Sequence, residues 1–253
     1  MSEKLTSHDI AKMIDHSLLH PTLTDEQLVA GCELAKKYDV ASCCVKPYHT
    51  QLAAETLKGS DVLVCTVVNF PHGNNTSELK VIETEAVIKN GATEIDLVAN
   101  VGKICQGDWN YVEKDIGDVA AVCQKSGAKL KVIFAVDYLT DEQIAKVTQI
   151  CNTVKADWVK TSTGYNYIKD ENGDMVYYGA SDRALKAMAD NVAPGVEVKA
   201  AGKCRDLDRY LEVREKYGVT RVGAGNTAEV MEEARERLDG IKAEEVESAI
   251  SDY

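Results

Sequence analysis

Eight short, almost continuously apolar runs recur along the chain and alternate with longer amphipathic stretches. Runs of valine, isoleucine, cysteine and alanine are typical of strands buried on both faces, because a strand with one solvated face alternates polar and apolar residues. Buried strands that alternate with helices indicate repeated βα units and a parallel sheet. The predicted strands cover residues 16–19, 40–45, 62–68, 94–99, 130–136, 157–161, 196–201 and 220–223.

Between these runs, apolar residues recur at helical spacing, and a short helix is also expected near the N-terminus. In the second of the longer helices the spacing places Leu79, Ile82, Ala86 and either Val87 or Lys89 on one face. An apolar face of this kind is expected to pack against the core. The predicted helices cover residues 25–38, 77–90, 109–126, 141–154, 181–192, 206–217 and 227–238.

The number of βα units and the length of 253 residues favour a closed (β/α)8 barrel. We expect one barrel domain over residues 1–253. An open doubly wound sheet is the alternative, and it is weakened because no G-x-G-x-x-G motif follows an early strand.

One segment interrupts the alternation after the sixth strand. Asn172-Gly173 lies between two short, partly alternating runs, and this dipeptide favours a hairpin turn. We therefore predict a β-hairpin inserted in a βα loop. The inserted segment carries Tyr165, Tyr167, Tyr177 and Tyr178.

The chain is acidic, with 29 Lys and Arg against 41 Asp and Glu and a net charge of −12. This balance disfavours nucleic acids and anionic membranes as partners. No signal peptide and no run of about 18 apolar residues is found, so no membrane span is expected. The 8 cysteines include no C-x-x-C pair. Reduced, mostly buried thiols in a cytoplasmic protein are therefore favoured, and no metal site is predicted.

Two lysines stand inside otherwise apolar strands, Lys160 in the sixth and Lys199 in the seventh. Neighbouring strands lie roughly 4.8 Å apart, so the two side chains are expected to share a dry cavity. Burial and a like charge both lower a lysine pKa, and a neutral amine forms a Schiff base with a carbonyl. Asp96 in the fourth strand is the candidate for proton transfer. The alternatives are lysines that reach solvent and an aspartate that caps a turn.

A second group of residues follows the strand ends. The glycine-rich stretch 223–226 leads into a helix, where backbone N–H groups bind anions, and Gly202-Lys203 could supply the other half of a phosphate site. The alternative is a tight turn with Asn226 as N-cap and Glu229 three residues on. The candidate substrate-binding residues are Cys44, Thr163, Gly202, Lys203, Gly223, Gly225 and Asn226.

Several segments of the sequence resemble class I deoxyribose-phosphate aldolases, in order and over nearly the whole chain, among them CTVVNFPHG at 65–73 and KTSTG at 160–164. The resemblance implies a (β/α)8 barrel that reversibly cleaves 2-deoxy-D-ribose 5-phosphate to acetaldehyde and D-glyceraldehyde 3-phosphate without a cofactor. It assigns Lys160 as the Schiff-base lysine. It assigns Lys199 and Asp96 as the pair that tunes that lysine and relays protons.

Departures from the family lie at the phosphate end. Lys203 stands where a glycine is usual, the stretch 223–226 lacks the usual serines, and the loop after Gly164 is long. The same retro-aldol chemistry on a different, non-phosphorylated aldehyde pair therefore stays open, as does a barrel that binds sugar phosphate without cleaving it. The sequence leaves open whether the chain forms a homo-oligomer. The C-terminal Tyr253 is a candidate to fold over the barrel mouth and assist protonation.

Overall fold

The computed structural model describes residues 4–242 and contains a closed barrel of parallel strands. Its strands are β1 (Ile14–Leu18), β2 (Ser42–Val45), β3 (Leu63–Val68), β4 (Glu94–Val98), β5 (Lys129–Ile133), β6 (Trp158–Lys160), β9 (Glu197–Ala201) and β10 (Val219–Ala224). The order around the barrel is β1-β10-β9-β6-β5-β4-β3-β2. A separate antiparallel hairpin joins β7 (Ile168–Lys169) to β8 (Met175–Val176). The predicted barrel and the predicted hairpin after the sixth strand are both confirmed.

Helices cover the outside of the barrel. They are α1 (Ser7–Ala11), α2 (Asp25–Tyr38), α3 (Thr50–Thr56), α4 (Ser77–Lys89), α5 (Val101–Gln106), α6 (Trp109–Ser126), α7 (Asp141–Val154), α8 (Asp182–Ala189), α9 (Leu207–Tyr217) and α10 (Thr227–Ala234). The short N-terminal helix is confirmed, whereas α3 and α5 were not predicted because each is only one or two turns long. Within residues 4–242 no helix is long and apolar enough to cross a bilayer.

Side-chain caps explain where several helices begin. In α2 the Thr24 hydroxyl accepts a hydrogen bond from the Gln27 N–H, and the Gln27 side chain accepts one from the Thr24 N–H. Thr140 and Gln143 form the same reciprocal pair at α7, and Ser181 caps α8. These bonds satisfy N–H groups that have no partner within the helix, so the local sequence sets the start of each helix.

Helix α4 buries a different face from the one that the sequence predicts, although Val87, one of the two alternatives for the fourth inward position, is buried. Leu79 and Ile82, expected in the core, are 51% and 59% exposed, and Ala86 is exposed as well. The buried face instead carries Lys80, whose Nζ lies 2.5 Å from the Asp115 carboxylate of α6, with both side chains fully buried. The predicted face was wrong because a polar residue with a buried partner on another helix can take the inward position.

This buried ion pair provides a test of how α4 is held. Replacing Asp115 with asparagine leaves the Lys80 ammonium buried without its carboxylate partner. We therefore expect the free energy of unfolding to fall by about 3–5 kcal/mol. Urea denaturation of the variant measures this loss. The matched control is Asp118→Asn on α6, which breaks an exposed pair with Lys114 and should change stability far less. Similar losses in both variants would contradict a structural role for the buried pair.

Candidate active site

Strand register brings the two predicted lysines together. Lys160 of β6 lies directly opposite Lys199 of β9, and Asp96 of β4 lies opposite Lys131 of β5. Side chains at one level of a closed barrel meet inside it, because inward-facing residues of its strands stack in layers. All four residues are buried. The barrel therefore supplies a dry environment for four ionisable groups that are up to 103 residues apart in sequence.

The carboxylate of Asp96 is shared by three lysines. Its Oδ2 atom lies 2.6 Å from Lys160 Nζ and 2.8 Å from Lys199 Nζ, and its Oδ1 atom lies 3.1 Å from Lys131 Nζ. Lys199 also lies 2.5 Å from Asp15 Oδ2. Because Lys160 and Lys199 both reach the same oxygen atom, a proton can pass between the two amines through one carboxylate.

Two further charged groups complete this cluster. Arg221 of β10 donates hydrogen bonds to Asp15 at 2.5 Å and to both oxygens of Glu94 at 2.8 and 3.1 Å. Lys131 contacts Glu94 at 2.5 Å and Asp15 at 3.4 Å. The cluster thus has four basic side chains, Lys131, Lys160, Lys199 and Arg221, and three carboxylates, Asp15, Glu94 and Asp96.

The charge count singles out Lys160. With every group ionised the cluster carries one excess positive charge, and loss of one lysine proton balances it. Lys160 contacts only Asp96 within the cluster, whereas Lys199 contacts two carboxylates and Lys131 contacts three. Lys160 is also the one of these lysines that is not fully buried, at 4% exposure. Lys160, which lines the cavity, is therefore the lysine of this cluster with the fewest carboxylate contacts.

The pKa directions follow from the same contacts. Burial by itself raises the pKa of Asp96, but the ammonium groups of Lys131, Lys160 and Lys199 outweigh it and hold that pKa well below its ordinary value. Burial lowers the pKa of Lys199, but the carboxylates of Asp15 and Asp96 reverse the effect and raise it above its ordinary value. The expectation of a lowered lysine pKa is therefore wrong for Lys199, because the two carboxylates outweigh the neighbouring lysine.

Sequence reasoning did not select Lys131 or Asp15 as site residues, although both touch the central pair. Lys131 is fully buried and stands in the apolar run Leu130-Lys131-Val132-Ile133. This is the same signal, a lysine within a buried strand, that singled out Lys160 and Lys199. Asp15 is the second residue of β1, directly after Ile14, and it is fully buried like Lys131.

A cavity of about 600 Å³ opens above the cluster. Asp96 does not line the cavity itself but contacts Lys160, which does. Its lining contains one carboxylate, from Asp15, although the whole chain is strongly acidic. The other predicted site residues all line it, namely Cys44, Lys160, Thr163, Lys199, Gly202, Lys203, Gly223, Gly225 and Asn226. The structure therefore brings every predicted residue to one site.

Two thiols lie beside the lysines. Cys44 Sγ is 3.6 Å from Cys65 Sγ and 3.9 Å from Asp96 Oδ2. The hydrogen bond from Cys65 lowers the pKa of Cys44. Cys44, Cys65 and Asp96 bring their ligand atoms within 4.8 Å of one another, as a metal ion requires. However, Lys131 Nζ lies 3.2 Å from Cys65 Sγ, and this positive charge opposes a cation.

The loops at the cavity mouth leave α10 without a side-chain cap. Asn226 precedes this helix, but its Nδ2 donates instead to the Arg205 carbonyl at 2.5 Å. The alternative in which Asn226 caps the helix is therefore not found. Gly225 and Asn226, which precede α10, line the cavity mouth, and the N-terminus of a helix is a place that suits an anion. Tyr253 lies outside the described residues.

Comparison with known proteins agrees with this geometry. The chain matches the model of the DeoC/LacD family aldolases over residues 10–224, and it belongs to that family of aldolases. It is 44% identical over 239 residues to the deoxyribose-phosphate aldolase of Rhodopirellula baltica, covering 94% of each chain. It is 42% identical over 225 residues to that of a Geobacillus species, covering 89% of this chain and 96% of the relative.

A solved structure supports the fold as well. The deoxyribose phosphate aldolase of Aeropyrum pernix superposes with a TM-score of 0.79 at 25% sequence identity. The superposition covers 90% of this chain and 91% of that one. The similarity therefore extends over the whole barrel.

His16 on β1 offers a test of how dry the site is. Burial lowers its pKa from 6.5 to about 4, while its Nδ1 lies 2.8 Å from the Thr227 hydroxyl. Between these pH values His16 binds a proton in the unfolded chain but not in the folded chain. Lowering the pH through this range therefore reduces the free energy of unfolding by roughly 3 kcal/mol through His16.

We expect His16→Gln to lose that part of the pH dependence. Urea unfolding at several pH values between 4 and 6.5, for wild type and variant, measures the difference. His72→Gln, at an exposed histidine, serves as the control and should follow the wild-type curve. A His16→Gln curve parallel to the wild-type curve would show that His16 titrates normally.

Proposed function

We propose that this protein is a Schiff-base aldolase that reversibly cleaves 2-deoxy-D-ribose 5-phosphate into acetaldehyde and D-glyceraldehyde 3-phosphate. The observation that carries the proposal is the shared Asp96 Oδ2 atom, 2.6 Å from Lys160 Nζ and 2.8 Å from Lys199 Nζ at the floor of a cavity. The names of the relatives with 44% and 42% identity support the substrate.

Lys160 is the nucleophile in this proposal. Its neutral amine attacks C1 of the open-chain sugar, and its nitrogen then loses a proton to Asp96, which passes that proton to the C1 oxygen so that a hydroxyl forms. The Lys199 ammonium supplies the proton with which the C1 hydroxyl leaves as water, so that a protonated imine forms on Lys160. The raised pKa of Lys199 keeps it an ammonium and the lowered pKa of Asp96 keeps it a carboxylate before the reaction, which are the charge states that these roles start from.

The protonated imine then draws electrons from the sugar. The C2–C3 bond breaks as the C3 hydroxyl gives up its proton to the Asp96–Lys199 pair, and glyceraldehyde 3-phosphate departs. The remaining two-carbon enamine is protonated at C2 by the same pair. Water hydrolyses the resulting imine, which releases acetaldehyde and restores the amine of Lys160. Every step runs in reverse for aldol addition.

The charge of the cavity favours a phosphorylated substrate. Lys160, Lys199, Lys203 and Arg205 line it against one carboxylate, so its lining is cationic although the chain carries a net charge of −12. Gly202 and Gly225 allow backbone N–H groups to approach the phosphate closely. An acceptor without phosphate is the second candidate, since Lys203 and the 223–226 stretch depart from the family pattern.

A reducing compartment suits this chain. All eight cysteines are free thiols, and Cys105 is exposed. We place the enzyme in the cytoplasm, where such thiols stay reduced. Thiol titration of protein purified without reductant checks the assignment, and recovery of fewer than eight thiols would count against it.

Borohydride trapping tests the nucleophile. Incubation with acetaldehyde and sodium borohydride should leave an ethyl group on Lys160, located by peptide mass spectrometry, because reduction fixes the imine at the lysine that forms it. Lys160→Met should abolish the adduct and turnover. Lys199→Met should retain some adduct while turnover falls about 10²- to 10⁴-fold, as expected for a proton-transfer group. An adduct on Lys199 alone, or none in the wild type, would refute the assignment.

Removal of the phosphate tests the substrate. We expect kcat/KM for 2-deoxyribose to be at least about 100-fold lower than for its 5-phosphate, because charge-assisted hydrogen bonds are lost. The difference should shrink as salt is added, since screening weakens mouth charges near solvent. Equal kcat/KM values would favour the non-phosphorylated alternative. No retro-aldol turnover with either sugar would favour a barrel that only binds.

A further inference from the structure

Lys203 occupies a backbone conformation that suits glycine better than lysine. Its φ is +61°, and the preceding Gly202 has φ +87°. In this left-handed region a Cβ crowds the backbone, so a lysine here is strained where a glycine is not. Strain kept at a cavity mouth points to a use for the side chain.

The Lys203 ammonium rests on aromatic rings instead of pairing with a carboxylate. Its Nζ lies 5.3 Å from the ring centroid of Tyr177 and 5.6 Å from that of Tyr178, both next to the inserted hairpin. In the part of the chain spanning 4–242, it makes no ion pair. Ring faces hold a cation without neutralising it, so its full charge stays available to an anion.

The hairpin and the Lys203 loop form one unit. The Ala180 N–H donates to the Gly202 carbonyl at 3.1 Å, and a Cβ on Gly179 would lie only 2.9 Å from Gly202 Cα. The hairpin is in turn held by Asp137, whose carboxylate accepts from the N–H of Gly179 at 3.1 Å. The tyrosines therefore keep a defined position over the mouth, and so does the ammonium they hold.

We propose that Lys203, held on the ring faces of Tyr177 and Tyr178, is the residue that makes this aldolase select substrates with a terminal phosphate. The ammonium binds the phosphate dianion, and the two tyrosines are positioning residues that hold it at the right height above Lys160. The proposal rests on the proposed function and assigns the inserted hairpin a part in substrate choice. It also explains how an acidic protein places at its cavity mouth a cation, Lys203, that has no carboxylate partner among residues 4–242.

Two variants of Lys203 separate binding from folding. Lys203→Gln should lower the ratio of kcat/KM for 2-deoxyribose 5-phosphate to that for 2-deoxyribose by about 10- to 100-fold, mainly through KM. Lys203→Gly should lower it as much, although it relieves the strained backbone and so favours folding. Lys169→Gln, which removes an exposed hairpin charge outside the cavity, should keep the wild-type ratio. An unchanged ratio in both Lys203 variants overturns the proposal.

Inorganic phosphate gives a readout without turnover of a phosphorylated sugar. As a competitive inhibitor of 2-deoxyribose cleavage, it should bind about 10- to 100-fold more weakly to Lys203→Gln than to the wild type. A similar inhibition constant in both proteins would place the anion elsewhere in the mouth and contradict the proposal.

A double-mutant cycle tests the tyrosines. Tyr177→Leu with Tyr178→Leu should lower the substrate ratio about 2- to 5-fold when Lys203 is present, the effect expected from lost cation–π contacts. In the Lys203→Gln background the same replacements should have no further effect on the ratio. Additive effects would show that the tyrosines act independently of Lys203, against the proposal.

Trapping of acetaldehyde on Lys160 distinguishes the two possible failures. If the wild type forms the adduct and cleaves the sugar but the Lys203 variants keep its substrate ratio, the phosphate-selection proposal is wrong and the aldolase assignment stands. If the wild type forms no adduct, the assignment itself fails. An adduct together with the lowered ratio supports both.

Discussion

The amino groups of three buried lysines, Lys131, Lys160 and Lys199, converge on the carboxylate of Asp96. Buried charges are stable only when opposite charges and hydrogen bonds replace the lost water. Here the replacement comes from the strands themselves, because Asp15 contacts Lys199 and Arg221 while Glu94 contacts Lys131. These groups lie on separate strands, so the cluster can form only once the barrel closes in the correct register.

The buried cluster has more basic groups than carboxylates, and this difference in number leaves its lysines with different numbers of carboxylate contacts. Four basic groups face three carboxylates, and Lys160, the lysine with the fewest carboxylate contacts, borders the cavity together with Lys199. Two carboxylates raise the pKa of Lys199 above its ordinary value, and three lysines hold the pKa of Asp96 well below its ordinary value. Lys160, Lys199 and Asp96 thus differ in their charged neighbours, although two of the three are the same residue type.

The sequence predicted the features that depend on local patterns. Apolar runs located the barrel strands, Asn172-Gly173 located the hairpin, and lysines inside buried strands pointed to Lys160 and Lys199. Prediction failed where a distant partner decides the outcome. Lys80 of α4 is buried because it forms an ion pair with Asp115 of α6. The carboxylates of Asp15 and Asp96 raise the pKa of Lys199, which was expected to be lowered.

The sequence by itself determined the barrel architecture and the burial of Lys160 and Lys199, because a continuous run of apolar residues marks a strand that is buried on both faces. Only the tertiary structure decided the charge state of those lysines, since each carboxylate arrives from another strand and the Coulomb interaction depends on distance in space. The same holds at the mouth. The sequence shows that Lys203 departs from the family pattern. The contact of its ammonium with the rings of Tyr177 and Tyr178 is seen only in the tertiary structure, where the hairpin lies beside the Lys203 loop.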